Sequence, residues 1–513
     1  MFRRERRVDS DMTQITDGPP PDTTAQPSSN LKVFDQSLAK GVAWTAGAKW
    51  SSQFLSWASL IIVARLLSPA DFGLVGMATL YLGLVTLFSE FGVGTAVLVL
   101  RNLDDEQIAQ LNSLSLLIGF GCFLVSCGIA RPLGVFFRAP NLPLVVVAMS
   151  TTFIILGLRS IPYSLLQRDM RFKLLSVLET AQSICQALTT LLLAFLGLGY
   201  WSLVVGNIAG SALLTVTTAL YCRHGFAVPR LASIRHALRF SSHILISRLC
   251  WYAYSNADFL VAGRVLGPAP LGEYTLGWNL ATAPIEKVSG VIVRVTPAFF
   301  AAVQDEHAAL RRYLRVLTEA IGIATFPATF GLALVAHEFV PLALGKKWGG
   351  AIVPLELLAF YASFRVIVTL LPQVLNVVGE TRFGMRNAIA TAIIMPTAFY
   401  VGSRWGTTGI AAAWIITYPV VVIPLYWRTL SKIGLGVREY MQGVIPPLNG
   451  SIAMAVAVEA VKWSLPHEWP LMPKLILEVA AGAAAYAIVM LGVYRSRMRA
   501  LWQLANNLLR RKS

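Results

Sequence analysis

Long apolar runs recur along almost the whole chain and are separated by short polar stretches. Most runs are close to the roughly 20 residues that an α-helix needs to cross a bilayer. The pattern predicts an all-α polytopic membrane protein with about fourteen transmembrane helices. The predicted spans lie near 42–64, 72–99, 108–130, 142–166, 174–196, 200–222, 243–263, 273–301, 316–336, 352–376, 384–403, 406–427, 443–463 and 474–494.

Two pairs of spans leave the count open between twelve and fourteen. Only LGLG separates the fifth span from the sixth, and only RWGT separates the eleventh from the twelfth. Glycine adopts backbone conformations that other residues avoid, so either segment can make a tight turn between antiparallel helices.

Composition agrees with the apolar pattern. Hydrophobic residues make up 56% of the chain and charged residues 13%, whereas soluble domains carry about 25% charged residues. Mean hydropathy is +0.62. A soluble enzyme, a disordered chain and a disulfide-rich secreted domain are therefore excluded. The five cysteines lie in or beside apolar runs, with no CxxC pair and no histidine cluster, which predicts buried thiols and no metal site.

Loop charge predicts the orientation. With fourteen spans, alternate loops and both tails place 28 Lys and Arg residues on one side and nine on the other. Cytoplasmic loops carry the excess of positive charge, so both termini are predicted to be cytoplasmic. The net charge of +17 is explained in this way without nucleic-acid binding.

Three segments outside the spans complete the predicted organisation. Residues 1–39 form a polar, Pro-containing cytoplasmic tail without a signal-peptide core, predicted to be disordered. Residues 223–242 alternate basic and apolar positions and predict an amphipathic linker on the cytoplasmic surface. Residues 495–513 form a basic cytoplasmic tail.

An internal repeat divides the spans. The segment ARLLSPADFG at 64–73 matches GRVLGPAPLG at 263–272, an offset of 199 residues. The repeat predicts two parallel six-helix lobes, 40–222 and 243–430, followed by two further helices in 431–494. The same offset also aligns two polar stripes, each on one helix face: Lys49, Gln53, Ser56 and Ser59 with Arg248, Tyr252, Ser255 and Asp258.

Charged residues at membrane depth are the candidate site. Such groups usually face an aqueous cavity or a partner, because burying a charge in lipid is costly. The cations predict a cavity for a phosphate-bearing ligand, since Arg matches phosphate geometry; they are Lys49, Arg159, Arg248, Lys287, Arg294 and Arg365. Tyr252, beside Arg248, is a candidate for sugar stacking. Glu90, Asp258 and Glu286 are candidates to bind a coupling cation or proton. Structural ion pairing, or snorkelling to the interface, remains the alternative for all these charges.

Aromatic residues and missing motifs narrow the function further. Most tryptophans, Trp348 and Trp414 among them, are assigned to the interfacial aromatic belt. The chain has no GxxxxGK[ST], HExxH or GxSxG motif, and the predicted outside loops are short. An enzyme is therefore not expected, and no cofactor is predicted.

Several segments resemble the polysaccharide transport family of the multidrug/oligosaccharidyl-lipid/polysaccharide exporter superfamily, and within it the Wzx/WzxC-type flippases. They are VARLLSPADFGLVGMA (63–78), FSEFGVGTAVL (88–98), LLQRDMRFK (165–173), LGYWSLVVGNIAG (198–210) and DFLVAGRVLGPAPLGEYTLGWNL (258–280). The resemblance covers roughly residues 35–430. It implies a fourteen-helix, two-lobed fold in the cell inner membrane.

The resemblance also implies a function. Such flippases move undecaprenyl-diphosphate-linked oligosaccharide to the periplasmic leaflet for lipopolysaccharide, exopolysaccharide or capsule synthesis, and would work beside a polysaccharide polymerase and co-polymerase. Membrane lipids and the lipid-linked oligosaccharide are the expected partners. The alternatives are a cation-coupled multidrug or metabolite exporter of the same fold, a membrane glycan polymerase or ligase, and a non-transporting scaffold that binds lipid-linked precursors.

Overall fold

A computed structural model describes residues 56–89, 94, 97, 103–222, 225–229, 249, 251–303, 306–466, 469–499 and 503, with side chains except at 286–295, 297–299 and 301–302. Every regular element among these residues is helical, which confirms the predicted all-α class. The N-terminal tail and most of the 223–242 linker and of the C-terminal tail lie outside the described residues.

The described part of the chain forms sixteen helices. They are α1 (Ser56–Leu66), α2 (Pro69–Ser89), α3 (Asp105–Phe136), α4 (Leu142–Arg168), α5 (Phe172–Phe195), α6 (Tyr200–Tyr221), α7 (Ala257–Val261), α8 (Pro268–Ala302), α9 (His307–Leu334), α10 (Ala336–Ala343), α11 (Ile352–Val368), α12 (Leu371–Val377), α13 (Thr381–Gly402), α14 (Gly406–Ile433), α15 (Val437–Ser464) and α16 (Leu471–Ile488). Single turns of π-helix continue α7 and α16, and 3₁₀ turns precede α11 and α14.

Ten helical stretches in the described part of the chain are long and apolar enough to cross a membrane. The chain is therefore a multi-pass membrane protein. One of the ten, Thr381–Ile433, covers both α13 and α14. The count of fourteen spans and the division into two six-helix lobes remain predictions.

Glycine makes both of the tight turns that the sequence predicted. Gly197 and Gly199 have φ of 77° and 54° between α5 and α6, and Gly406 has φ of 71° at the start of α14. A Cβ is strained at these angles, so glycine lets antiparallel helices follow one another with almost no loop.

One close contact joins α2 to α8. A Cβ built on Gly73 would lie 1.7 Å from the carbonyl oxygen of Pro268, and one built on Gly272 would lie 1.8 Å from that of Pro69. Both pairs are related by the 199-residue offset. The two copies of the repeated segment therefore meet each other, backbone against backbone, in a reciprocal arrangement.

A buried apolar core extends on both sides of this contact. It runs from Val63 on α1 to Val444 on α15 and includes residues of both predicted lobes. The final helices α15 and α16 pack against α9, where the Tyr486 hydroxyl donates to the Ile323 carbonyl over 3.0 Å. This packing joins the C-terminal pair to the second half of the chain.

Candidate functional site

The Asp258 carboxylate lies inside the second half of the chain and is fully buried. Its Oδ2 accepts a hydrogen bond from the Tyr274 hydroxyl at 2.7 Å and another from Trp414 Nε1 at 3.1 Å. Its Oδ1 is also buried and has no hydrogen-bond partner among the described residues. A buried carboxylate with one oxygen unoccupied is costly unless it binds something else, such as a proton or a cation.

Arg365 supplies positive charge next to this carboxylate. Its guanidinium carbon lies 5.1 Å from the centroid of the Trp278 ring, in cation–π geometry. It also interacts electrostatically with Asp258 and with Tyr361. The surrounding rings pack closely, since those of Tyr361 and Trp414 stack with centroids 4.7 Å apart. We call Asp258, Tyr274, Trp278, Tyr361, Arg365 and Trp414 the Asp258–Arg365 cluster.

The first half of the chain holds a smaller set of the same residue types. The Arg159 guanidinium carbon lies 5.9 Å from the Tyr163 ring centroid. The Tyr163 hydroxyl in turn donates to Glu179 Oε1 on α5 at 2.6 Å. Arg159 and Arg365 are both partly exposed, so neither is sealed inside the protein. No described contact joins these two arginines to each other.

Three described residues of the polar stripes contact other helices. Ser59 on α1 is buried, and its hydroxyl donates to the Ala187 carbonyl on α5 over 3.5 Å. Asp258, at the equivalent position, belongs to the cluster above. Tyr252 donates from its hydroxyl to the Leu80 carbonyl on α2 at 2.8 Å and contacts Gly83 there, so it joins the two halves.

Six further candidates fall where side chains are not described. Lys49, Glu90 and Arg248 lie outside the described residues, and the helix positions of Glu286, Lys287 and Arg294 on α8 are described without their side chains. The common cationic cavity therefore remains a prediction. Within the described residues, no group of three or more His, Cys, Asp or Glu side chains is arranged to hold a metal ion.

A second constellation joins the two halves at the end predicted to be outside. Arg65 Nε donates to the Ala343 carbonyl at 2.6 Å, and its Nη2 donates to the Leu342 carbonyl. In return, Lys347 Nζ donates to the Arg65 carbonyl and Trp348 Nε1 to the Ala64 carbonyl, each at 2.8 Å. We call these six residues the Arg65 clasp.

The burial of Trp348 and Trp414 corrects one prediction from the sequence. Both Trp348 and Trp414 were assigned to the interfacial belt, but Trp348 has no exposed surface and Trp414 is 3% exposed. The Trp348 ring packs edge-on against Phe72 with centroids 5.3 Å apart. Each indole donates its N–H to an acceptor inside the protein, and this partner makes burial favourable. No pattern in the sequence indicates either acceptor.

Comparison with known proteins places the chain among polysaccharide biosynthesis proteins. A family model described as "Polysaccharide biosynthesis protein" matches residues 62–353. The lipopolysaccharide biosynthesis protein WzxC of Escherichia coli (strain K12) is 24% identical over 431 residues, covering 81% of this chain and 87% of WzxC. The succinoglycan biosynthesis transport protein ExoT of Rhizobium meliloti (strain 1021) is 24% identical over 485 residues, covering 92% and 96%.

A solved structure shares the fold. The lipid II flippase MurJ in an inward closed conformation superposes with a TM-score of 0.71 at 14% identity, covering 89% of this chain and 100% of MurJ. The likeness shows an all-helical fold like that of MurJ, while the helix count, the two lobes and the ligand stay predictions.

Proposed function

Because the chain belongs to the polysaccharide biosynthesis protein family, we propose that it is a flippase. It translocates undecaprenyl-diphosphate-linked oligosaccharide repeat units from the cytoplasmic to the periplasmic leaflet of the cell inner membrane. The product serves lipopolysaccharide, exopolysaccharide or capsule synthesis. Both termini lie in the cytoplasm, and the substrate would be handed to a polymerase and co-polymerase.

The reciprocal contact of Gly73 with Pro268 and of Gly272 with Pro69 carries this proposal. Alternating access needs two related bodies that meet at one end of the substrate path and separate there later. The contact supplies such a meeting point between the two copies of the repeat. Closing and opening of the six-helix lobes at this contact would expose the path first to one leaflet and then to the other.

The intramembrane charges have separate roles in this mechanism. The cations Lys49, Arg159, Arg248, Lys287, Arg294 and Arg365, with Tyr252, contact the diphosphate or an anionic sugar, because guanidinium groups match phosphate geometry. The lipid tail stays in the bilayer while the glycan crosses in water. Asp258, Glu90 and Glu286 are the candidates for binding a coupling ion.

Asp258 favours a second candidate function. Its unoccupied, buried Oδ1 suits a proton- or cation-coupled exporter of the same fold, with a drug or metabolite as the substrate. Such an exporter would confer resistance to toxic compounds and leave lipid-linked glycans unchanged.

A depletion strain separates the two functions. Depletion of a flippase is expected to accumulate complete lipid-linked repeat units that an enzyme added at the periplasmic face cannot reach. Wild-type protein should restore access, whereas Arg159→Ala with Arg365→Ala should not. Normal periplasmic access after depletion, in a strain with no second flippase, would overturn the proposal. Rescue by the double variant would instead remove these two arginines from the mechanism.

A further inference from the structure

The surface between α13 and α14 carries a groove that the proposed function has not used. It has a volume of about 920 Å³ and is open at the surface of these two helices. Its lining is apolar except for threonine hydroxyls, and small residues such as Ala412 leave the space between the two helices.

The depth of the groove matches one leaflet. It begins at the 3₁₀ turn Ser403–Trp405 and reaches Ile393 on α13 and Thr417 on α14. At 1.5 Å per residue this is about 15–20 Å. Half of a bilayer's hydrocarbon core is about 15 Å thick. A chain in the groove would therefore run from the membrane interface to the bilayer centre.

A cation stands at the interfacial end. Arg404 lies in the turn that closes the groove, between the lining residues Gly402 and Trp405, and its side chain is exposed. Loop charge predicts that this turn faces the outside. Arginine binds phosphate through paired N–H donors, and an exposed tryptophan next to it is typical of the headgroup level. The groove thus combines an apolar channel about one leaflet deep with an exposed arginine beside its mouth.

We infer that this groove holds the polyprenyl chain of the lipid-linked substrate in the outer leaflet, with its phosphate at Arg404. A single methyl-branched chain fits one groove lined by β-branched and small residues, whereas a phospholipid must place two acyl chains. The site would hold the product after translocation. This inference rests on the proposed function and adds an exit position to it.

Native mass spectrometry of the purified full chain tests the assignment, with undecaprenyl phosphate as the probe. Ala412→Phe should fill the groove and lower undecaprenyl phosphate binding by about tenfold, because several buried methylene contacts are lost. Ala483→Phe adds the same ring at an exposed alanine on α16 and serves as the matched control, with wild-type binding expected. Phosphatidylglycerol binding should not change in either variant.

The head group is tested separately. Arg404→Gln should weaken binding of undecaprenyl phosphate and leave binding of undecaprenol unchanged. Wild-type undecaprenyl phosphate binding by Ala412→Phe would overturn the inference. Equal loss of phosphatidylglycerol would also overturn it, since the groove would then be an ordinary annular lipid site. The depletion assay tests the flippase function independently. If the wild-type chain restores glycan access and Ala412→Phe binds undecaprenyl phosphate normally, only the groove inference is refuted.

Discussion

Asp258 has the most demanding surroundings of any described side chain in the cluster. One O–H donor, from Tyr274, and one N–H donor, from Trp414, converge on one of its oxygens. The other oxygen is buried without a hydrogen bond among the described residues. Removing the carboxylate leaves the buried Tyr274 hydroxyl without its acceptor, whereas the Trp414 N–H still has the Tyr274 oxygen at 3.1 Å. Leaving a buried donor unpaired costs about 1–3 kcal/mol, more than the hydrogen bond itself contributes.

We therefore expect Asp258→Leu to destabilise the protein by about 1–3 kcal/mol. Asp258→Asn keeps an acceptor oxygen for Tyr274 and Trp414, so it should retain most of the stability while it loses the ionisable group. Thermal unfolding of the purified variants in detergent measures both effects. Ser59→Ala, at the equivalent position of the repeat, is the matched control and should change stability little, because its hydrogen bond is long.

Equal destabilisation by Asp258→Asn and Asp258→Leu would contradict this interpretation.

If Asp258→Asn folds, it can also test whether Asp258 binds the coupling ion. If Asp258 binds the coupling ion, Asp258→Asn should fail to restore glycan access although it unfolds like wild type. If it is only structural, the variant should restore access fully.

The sequence could place Asp258 in a polar stripe but could not find its partners. The 199-residue offset aligned it with Ser59. Trp414, however, is 156 residues away and lies in a run that the apolar pattern treats as an ordinary span. The spacing of polar residues along the chain shows which of them share a helix face, whereas a tertiary contact depends on how the helices pack.

At the scale of helices, the apolar pattern predicts helix bounds best where contact with lipid sets the length of the helix. It missed the start of α9, because the helix begins at His307 and its first turns carry Arg311 and Arg315. Those turns contact the protein instead of lipid, as the Arg315–Glu439 ion pair at 3.0 Å shows. It predicted one span over 352–376, whereas the structure has a break between α11 and α12, where the helix-bending Pro372 lies in the first turn of α12. Hydropathy reports membrane contact and is silent about such protein contacts.

Two glycines test the contact between α2 and α8. Gly73→Ala would put its Cβ within 1.7 Å of the Pro268 carbonyl oxygen, so the helices must move apart. We expect a loss of about 1–3 kcal/mol, the usual cost of overpacking. Gly128→Ala on α3 is the matched control, since no atom lies within 4 Å of its Cβ and alanine favours the helix.

Thermal unfolding of the two variants gives a direct comparison. Gly73→Ala should unfold at a lower temperature than wild type, and Gly128→Ala at the same or a higher temperature. Gly272→Ala should resemble Gly73→Ala, because the contact is reciprocal. A Gly73→Ala protein as stable as Gly128→Ala would show that α2 and α8 do not approach each other this closely.

For the whole molecule, the Arg65 clasp joins distant parts of the chain at one end. Arg65 and Lys347 were counted only as loop charges in the sequence. Their acceptors are backbone carbonyls 278 and 282 residues away, which no side-chain pattern reveals. The clasp fastens the last turn of α1 to the end of α10 and to the 3₁₀ turn that follows it. Movement of the two halves apart at this end must first break these hydrogen bonds.

Accessibility of Ala64 measures that movement and the predicted orientation together. Ala64 is fully buried in the clasp, so an Ala64→Cys reporter in a cysteine-free chain should react slowly with a membrane-impermeant maleimide added to whole cells. Arg65→Ala should raise the labelling rate by about fivefold, because two exposed hydrogen bonds worth roughly 1 kcal/mol together hold the closed state. Arg131→Ala, which changes an exposed arginine predicted on the same side, should leave the labelling rate unchanged.

An unchanged labelling rate in Arg65→Ala would show that the clasp does not hold this end shut. Labelling only in inverted vesicles would show that the predicted orientation is reversed. An increase confined to whole cells makes the clasp a periplasmic gate, and the gate must then open once in every translocation cycle.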